Sequence, residues 1–376
     1  MAGVYIHIPF CRKACNYCDF HFSTSLGYKE ELIKCIKEEL QIRKIELQTP
    51  ISSIYFGGGT PSILSENEIK ELIDQCRKNY EVSKDVEITL EANPEDLTIG
   101  LIKGFARSGI NRLSIGIQSF QDNILNWMNR SHTAEQAISC IKNAKDVGII
   151  NISADIIYGI PKSLNRDWDK EVLKLLELDI PHISAYNLTV EEKTVLHKWV
   201  KEKKQVMPEQ ETCNLEYEAL VKSLNYAGYE QYEVSNFSME GFRSRHNSAY
   251  WDRAPYLGIG PSAHSFDGNR VRKWNVSNNI KYIKSINSGA LNSSKETLSE
   301  LDIANELILL GTRTIFGVSI NKVLNYLNQQ QKNVFLNQLE ELKKKNFIRL
   351  NKDRFFVDDN TRFISDHIAR ELIILS

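Results

Sequence analysis

Residues 4–18 read VYIHIPFCRKACNYC, an apolar run that leads directly into three closely spaced cysteines, Cys11, Cys15 and Cys18. The apolar run is typical of a β-strand, so the cysteines are expected on the loop that follows it. Three thiolates on one short loop suit three corners of an iron–sulfur cube and leave its fourth iron open to a small molecule. A cluster with four cysteine ligands would be coordinatively closed.

Two other interpretations of the cysteine triplet compete with an iron–sulfur cluster. Zinc also accepts thiolates, and His7 or His21 could supply a fourth ligand, but zinc motifs usually pair two CxxC knuckles and the chain has no such pair. The triplet could also be three unrelated core cysteines. The chain's remaining cysteines do have the scattered spacing of small core residues; they are Cys35, Cys76, Cys140 and Cys213.

The bulk composition is that of a soluble globular protein, and the start of the chain gives reason to expect it in the cytoplasm. Of 376 residues, 42% are hydrophobic and 25% are charged, and the net charge is −1. A near-neutral chain gives no electrostatic reason to expect a nucleic-acid partner. The first residues do not resemble a signal peptide, and no apolar run approaches the roughly twenty residues that span a bilayer. Peripheral contact with a membrane partner and the oligomeric state are left open.

Strand-like and helix-like segments alternate through the first half of the chain. Six strands are predicted, at 4–8, 53–56, 86–91, 112–117, 151–158 and 182–188. Amphipathic helices are predicted between them, at 28–47, 66–80, 99–108, 134–147 and 167–178. This alternation indicates an α/β fold with a parallel sheet, here a partial (β/α)6 barrel of the TIM type. Its active site is expected at the carboxyl ends of the strands.

Unusual residues fall at those strand ends. A glycine-rich stretch, 57–61 (GGGTP), follows the second strand, and its bare backbone could approach an amino-acid head group closely. Glu91, Gln118, Arg130 and Asp155 are polar residues beside apolar strand positions, where an unpaired polar group is costly. Mutual hydrogen bonds would satisfy them, and so would the hydroxyls of a ribose and the edge of an adenine.

The pattern changes after about residue 190. A helix is predicted at 209–227, then an aromatic and glycine-rich segment of strands and loops at 229–275. The last part shows two or three amphipathic helices and two short strands separated by a turn, the outline of a winged-helix-like α+β module. Without a basic excess it is expected to be a packing or lid domain. The predicted domains are therefore 1–190, 191–297 and 298–376.

A second unusual cluster, 245–251 (RHNSAYW) and 258–264 (GIGPSAH), lies in this middle segment. A histidine beside tyrosine and tryptophan suits a flat aromatic ligand, and imidazole is a common axial ligand of haem iron. A core histidine in an aromatic loop explains the same residues, and on this evidence alone it is the better explanation.

Taken together, the motifs resemble the radical S-adenosylmethionine (SAM) superfamily and, within it, the oxygen-independent coproporphyrinogen III oxidase-like family. They are 5–11 (YIHIPFC), the CxxxCxxC triplet, 57–61, 116–119 (GIQS) and 155–161 (DIIYGIP). The resemblance implies a [4Fe-4S] cluster on Cys11, Cys15 and Cys18 whose open iron binds SAM, the source of a 5′-deoxyadenosyl radical. The residues that match cofactor-lining positions are Tyr5, Tyr17, Gly58, Gly59, Thr60, Glu91, Gln118, Arg130 and Asp155.

Two departures separate the chain from the oxidases of that family. Phe20 stands where the oxidases carry a further cysteine. The oxidases also have a long extension before the cluster motif, whereas ten residues precede the motif here. In addition, 246–251 (HNSAYW) matches the HNxxYW signature of the HemW branch, which implies haem contacts by His246, Asn247, Tyr250 and Trp251. The resemblance therefore implies a haem chaperone that delivers haem to apoproteins such as respiratory enzymes, including membrane-associated ones.

The alternative activity is that of an oxygen-independent coproporphyrinogen III dehydrogenase, which makes protoporphyrinogen IX in porphyrin biosynthesis. Radical chemistry on an unrelated substrate is a third possibility, because the motifs define the cofactor better than the substrate. Whether the protein is an enzyme at all is therefore left open.

Overall fold

A computed structural model describes residues 2–375. Its strands are β1 (Ala2–Ile8), β2 (Ile51–Gly58), β3 (Val82–Ala92), β4 (Arg112–Gln118), β5 (Ile152–Tyr158), β6 (His182–Asn187), β7 (Glu230–Gln231), β8 (Asn236–Ser238), β9 (Tyr256–Ile259), β10 (His264–Phe266), β11 (Val271–Asn275), β12 (Ser293–Thr297), β13 (Val318–Ser319), β14 (Ile348–Asn351) and β15 (Arg354–Val357). Its α-helices are α1 (Lys29–Ile42), α2 (Glu66–Asn79), α3 (Ile99–Ser108), α4 (Asp122–Trp127), α5 (Ala134–Val147), α6 (Trp168–Glu177), α7 (Val195–Lys201), α8 (Gln210–Tyr226), α9 (Arg245–Trp251), α10 (Asn279–Asn287), α11 (Glu300–Thr312), α12 (Ile320–Leu324), α13 (Gln329–Lys344) and α14 (Ser365–Leu372).

One twelve-stranded sheet organises most of the chain, in the order β12-β11-β10-β9-β1-β2-β3-β4-β5-β6-β8-β7. Strands β1 to β6 are parallel neighbours, as the alternation predicts, and the five predicted helices lie between them as α1, α2, α3, α5 and α6. The α/β class and the partial-barrel prediction are confirmed.

The sheet continues past both ends of the predicted six strands. Strand β9 pairs with β1 in parallel, and β10, β11 and β12 then follow as antiparallel neighbours. At the other end, β8 runs antiparallel to β6, and β7 runs antiparallel to β8. These added strands are short, and the two that join the parallel set, β9 and β8, pair with strands distant in sequence.

The pleat of each parallel strand separates two environments. On β1 the side chains of Val4, Ile6 and Ile8 are fully buried in the main hydrophobic core, whereas Tyr5 and His7 project from the opposite face. The same alternation recurs on β4 and β5, where Arg112, Ser114, Ser153 and Asp155 alternate with apolar residues. One face therefore packs on the helices, and the other presents polar groups to the barrel interior.

Helix α9 occupies that interior and corrects one part of the prediction for 229–275, where strands β7 to β11 and loops otherwise lie as predicted. The helix begins at Ser244, whose side chain accepts a hydrogen bond from the backbone N–H of Asn247. The Glu87 carboxylate on β3 accepts the N–H groups of Arg245 and His246, both at 3.1 Å. A seven-residue helix held by a strand distant in sequence has little amphipathic signal of its own.

The residues from 300 onward form a second hydrophobic core, built from helices α11 to α14 and the sheet β13-β15-β14. The predicted winged-helix-like outline, with a turn at Lys352 between two strands, matches this arrangement. Backbone hydrogen bonds join it to the barrel, from Val234 N–H to the carbonyl of Arg313 and from Ile315 N–H to the carbonyl of Tyr232. Across residues 2–375, no helix is long and apolar enough to cross a membrane.

Candidate cofactor and ligand site

The cysteine triplet lies on the loop after β1, at the carboxyl edge of the parallel strands. The three thiols are half-buried and unpaired by disulfides. Two neighbours point donors at their sulfurs: the Thr60 hydroxyl lies 3.4 Å from Cys11 Sγ, and Arg130 Nη1 lies 3.5 Å from Cys15 Sγ. Such donors orient thiolate ligands and offset their negative charge.

The donor set fits an iron–sulfur cluster. Within the described part of the chain, no three His, Cys, Asp or Glu side chains converge on one point as the ligands of a single metal ion do. Burial raises the pKa of the Cys11 thiol to about 11 and that of Cys18 to about 12. Ligation would therefore require iron to displace the protons of these thiols, because the thiolate is the form that binds the metal.

The triple glycine after β2 brings two chain segments together. Gly58 has a φ of +111°, which favours glycine, and a Cβ on Gly59 would lie 2.6 Å from the carbonyl oxygen of Phe10. The backbone N–H of Gly59 donates to the carbonyl of Ile8, and that of Thr60 donates to the carbonyl of Phe10. The glycines therefore hold the start of the cysteine loop against β2, a structural role beside the predicted ligand role.

Glu91 stands at the centre of the predicted SAM site. Its carboxylate accepts hydrogen bonds from the Tyr55 hydroxyl at 2.8 Å and from the Gly58 N–H at 3.1 Å. Burial raises the pKa of Glu91 to about 7, and the nearby charge of Asp155 raises it further, against the lowering effect of those two donors. Burial and the charge of Asp155 thus favour the protonated form of this carboxyl more than in a free glutamate.

The other predicted SAM residues divide between the cysteine loop and the barrel interior. Arg130 spans Cys15, the Asn93 side chain at 2.7 Å and the Gly116 carbonyl at 2.8 Å. Asp155 lies deeper, 3.1 Å from the Ser114 hydroxyl, and burial raises its pKa to about 6.

The remaining members of the set surround this centre. Gln118 has a φ of +65°, and its amide nitrogen lies 2.9 Å from where a Cβ on Gly116 would be, so Gly116 leaves room for it. Tyr17 packs near Trp127 in a small apolar cluster beside the cysteine loop, and burial raises the pKa of its hydroxyl. The predicted cofactor roles of all these residues stay predictions.

A cavity of about 600 Å³ opens beside the cysteine loop. Its lining crosses the sheet from Glu91 on β3 and Gly58 on β2, past Tyr5 and His7 on β1, to the antiparallel edge strands. At that far end and at the rim it is lined by Phe20, His21, Tyr250, Arg253, Tyr256, Ser262, His264, Phe266, Arg272 and Leu310. The cavity is therefore carboxylate-lined at one end, arginine-lined at the other and aromatic between.

His246 does not line this cavity. Its ring is 2% exposed, with Nδ1 2.8 Å from the Ser53 hydroxyl and Nε2 2.9 Å from the Tyr250 hydroxyl. It stacks on Tyr55 with ring centroids 4.8 Å apart, and burial lowers its pKa to about 3. Both ring nitrogens are thus engaged, and a bond to haem iron would require His246 to give up one of these partners.

The other residues of the HNxxYW motif face three different places. Tyr250 lines the large cavity, and Asn247 lines a cavity of about 50 Å³ in the barrel interior, with Glu91 and Asp155. Trp251 lies beneath the guanidinium of Arg313, 5.5 Å from its ring centroid. Of the predicted haem contacts, Tyr250 is the one that the structure places on the cavity wall.

Sequence reasoning missed the arginine-lined end of the cavity. Arg253 and Arg272 belong to no motif of the sequence, and His264 stands out there only as part of the cluster that contains His246. Arginine residues separated by aromatic strand positions over 253–272 are the one signal that could have drawn attention to them. Phe20, 68% exposed, lies at the cavity rim next to the cysteine loop.

Comparison with known proteins is consistent with this geometry. The model of the radical SAM superfamily matches residues 5–176, and that of the HemN C-terminal domain matches residues 298–364. The chain is 32% identical over 373 residues to the heme chaperone HemW of Bacillus subtilis (strain 168), covering 98% of each chain. It is also 32% identical over 373 residues to the heme chaperone HemW of Lactococcus lactis subsp. lactis (strain IL1403), covering 99% of this chain and 97% of the relative.

A solved structure shares the architecture. Coproporphyrinogen III oxidase (HemN) from Escherichia coli superposes with a TM-score of 0.84, covering 99% of this chain and 90% of that one, at 20% identity. At this level of identity the likeness establishes the fold alone.

Proposed function

We propose that this chain, which belongs to the radical SAM superfamily and within it to the family of the HemW haem chaperones, binds haem and delivers it to apoproteins. The acceptors we propose are cytoplasmic or membrane-associated apoproteins such as respiratory enzymes. Haem would be held in the large cavity beside the cysteine loop, and the cluster and SAM at the carboxyl ends of β1 to β5.

The composition of the cavity is the observation that carries this proposal. A planar amphipathic macrocycle needs aromatic walls, a polar end for its propionates and an imidazole for its iron. The cavity offers Tyr250, Tyr256 and Phe266 as aromatic walls, and arginines at one end. Its volume of about 600 Å³ lies within the range of small-molecule sites.

We assign the cofactors to the residues that fit them. Cys11, Cys15 and Cys18 would hold a [4Fe-4S] cluster, and Gly58, Gly59 and Glu91 would face the SAM bound to its open iron. When bound, this pair of cofactors supplies one-electron chemistry. The protein's own part would be to orient the thiolate ligands through Thr60 and Arg130, and to present to SAM the buried carboxyl of Glu91, whose pKa burial raises to about 7.

His264 is the imidazole that we propose for the iron. Three histidines line the cavity, but His7 hydrogen-bonds to Tyr5 and to the carbonyl of His21, and His21 Nε2 lies 2.7 Å from Asn279 Oδ1. His264 is exposed to the cavity and stacks on Trp274, and none of the side-chain hydrogen bonds found among residues 2–375 uses its ring. An unengaged imidazole can bind iron without breaking an existing contact.

Haem titration of the anaerobically purified full chain tests the function. We expect a saturable Soret band at one haem per chain, and retention of that band in His367→Ala, which removes an exposed histidine of the C-terminal part. Absence of saturable binding would contradict the proposal. So would loss of two carboxyl groups from coproporphyrinogen III, measured by mass during anaerobic incubation with SAM and reductant, because that result would establish the oxidase activity instead.

A further inference from the structure

A carboxylate from the C-terminal part closes the arginine-lined end of the cavity. Glu306 on α11 forms ion pairs with both Arg253 and Arg272 of the barrel part. The side chains of Glu306 and Arg253 are each 11% exposed, and that of Arg272 is 35% exposed. Two guanidinium groups thus share one carboxylate at a largely buried contact.

The two arginines belong to the cavity as well as to the ion pair. Both line it, and both lie over the ring of Phe266, at 4.9 Å and 5.6 Å from its centroid. Arg253 is further fixed by donating to the Asn269 carbonyl at 2.8 Å. The ring of Phe266 therefore supports both guanidinium groups, a backbone carbonyl also fixes that of Arg253, and this support does not depend on Glu306.

We propose that Arg253 and Arg272 form a recognition site for the propionate carboxylates of haem, and that Glu306 occupies this site as an internal stand-in. The proposal rests on the proposed haem-binding function. Each guanidinium can bind one carboxylate in bidentate fashion, so the pair matches a ligand with two carboxylates better than it matches the single Glu306.

Displacement of Glu306 would free one side of the C-terminal part. Helix α11 also contributes Leu310 to the cavity lining, and Leu307 packs against the apolar cluster that contains Phe266. The backbone bonds between 232–234 and 313–315 lie elsewhere and would remain as a tether. A bound propionate would thus compete directly with the ion pairs that join α11 to the cavity wall, so haem binding and release of α11 from that wall are coupled.

An ordinary interdomain salt bridge is the competing explanation, and the two make different predictions. If the pair is only structural, Glu306→Gln lowers stability and leaves haem affinity unchanged. If Glu306 competes with propionate, Glu306→Gln strengthens haem binding severalfold, because the arginines are released from a charged competitor.

The test compares haem with its propionate dimethyl ester, titrated by absorbance into the wild-type full chain. We expect the ester to bind about tenfold more weakly, because charge-assisted contacts to the arginines are lost. Glu306→Gln should raise the affinity for haem and leave that for the ester unchanged, and Arg253→Gln with Arg272→Gln should remove the difference between the two ligands. Hydrogen exchange of α11 in the wild type should rise when haem binds and should not rise with the ester.

The outcomes separate this inference from the function on which it rests. If the wild type binds neither ligand, the haem-binding function is wrong. If it binds haem and the ester equally well, and α11 exchange does not change, haem binding stands and the arginine-pair site is overturned. The ester comparison in the wild type needs no variant, so a variant that fails to fold cannot obscure the result.

Discussion

Removing the imidazole of His246 should lower the stability of the fold and leave the Soret band of bound haem at its wild-type position. In His246→Ala, the buried Ser53 hydroxyl loses its partner, at a cost of about 1–3 kcal/mol, and the Tyr250 hydroxyl on the cavity wall loses a hydrogen bond as well. The stacked contact with Tyr55 is lost as well, and the space left behind adds a cavity term. We expect the free energy of unfolding to fall by roughly 3–5 kcal/mol.

His264→Ala is the matched comparison, because this histidine is exposed and lines the cavity. Its removal should change the free energy of unfolding by less than about 0.5 kcal/mol. It should nevertheless shift the Soret band and weaken haem binding, because the proposed iron ligand is gone. We therefore expect His246→Ala to change mainly the stability and His264→Ala to change mainly the haem spectrum.

Urea unfolding of both variants without haem, followed by haem titration, measures the two effects. Haem that binds to folded His246→Ala should keep the wild-type Soret position, with any loss of affinity coming from a displaced Tyr250. The reasoning is refuted if His246→Ala costs less than about 1 kcal/mol and moves the Soret band while His264→Ala leaves the band unchanged. That result would restore His246 as the iron ligand.

Three further predictions follow from the described contacts. Replacing Cys11, Cys15 or Cys18 by serine should abolish bound iron in anaerobic preparations, whereas Cys140→Ala, at a buried core cysteine, should retain it. A wild-type iron content in any one of the three serine variants would exclude the cluster assignment. Glu39→Ala should lower the free energy of unfolding by roughly 3 kcal/mol, because Glu39 is fully buried and binds Arg43, Asn275 and Tyr282. The control Lys37→Ala removes an exposed ion pair with Glu71 and should lower it by less than about 0.5 kcal/mol. Equal urea midpoints for the two variants would contradict this prediction. Burial raises the pKa of Glu91 from 4.5 to about 7, so between these pH values the folded protein holds a proton on Glu91 that the unfolded chain has lost. This carboxyl therefore makes the stability fall as the pH rises from 4.5 to about 7, and Glu91→Gln should flatten the slope of the urea midpoint against pH. An unchanged slope would show that Glu91 is ionised in the folded protein.

Much of the barrel could be predicted from local patterns. The six parallel strands and the helices between them follow from apolar runs and amphipathic spacing, because each βα unit buries its own apolar face on its neighbours. The cysteine triplet and the glycine turn could also be predicted from the sequence. The three cysteines lie within a few residues of one another, and the glycines contact the end of the adjacent strand.

The parts that were missed depend on contacts between distant residues. Nothing near 245–251 shows that Glu87, on β3, will hold the start of a helix there. Strand β9 becomes a seventh parallel strand because it lies beside β1, about 250 residues earlier in the chain.

The sequence by itself determined the fold class, the three cysteines and the resemblance to a cofactor family, because these are written in residue types at fixed local spacing. Tertiary structure alone decided that His246 is buried with both nitrogens engaged, and that His264 faces the cavity. It also decided that Glu306 meets Arg253 and Arg272. The physical reason is that burial, hydrogen-bond partners and shared charges arise only when segments far apart in sequence are packed against one another.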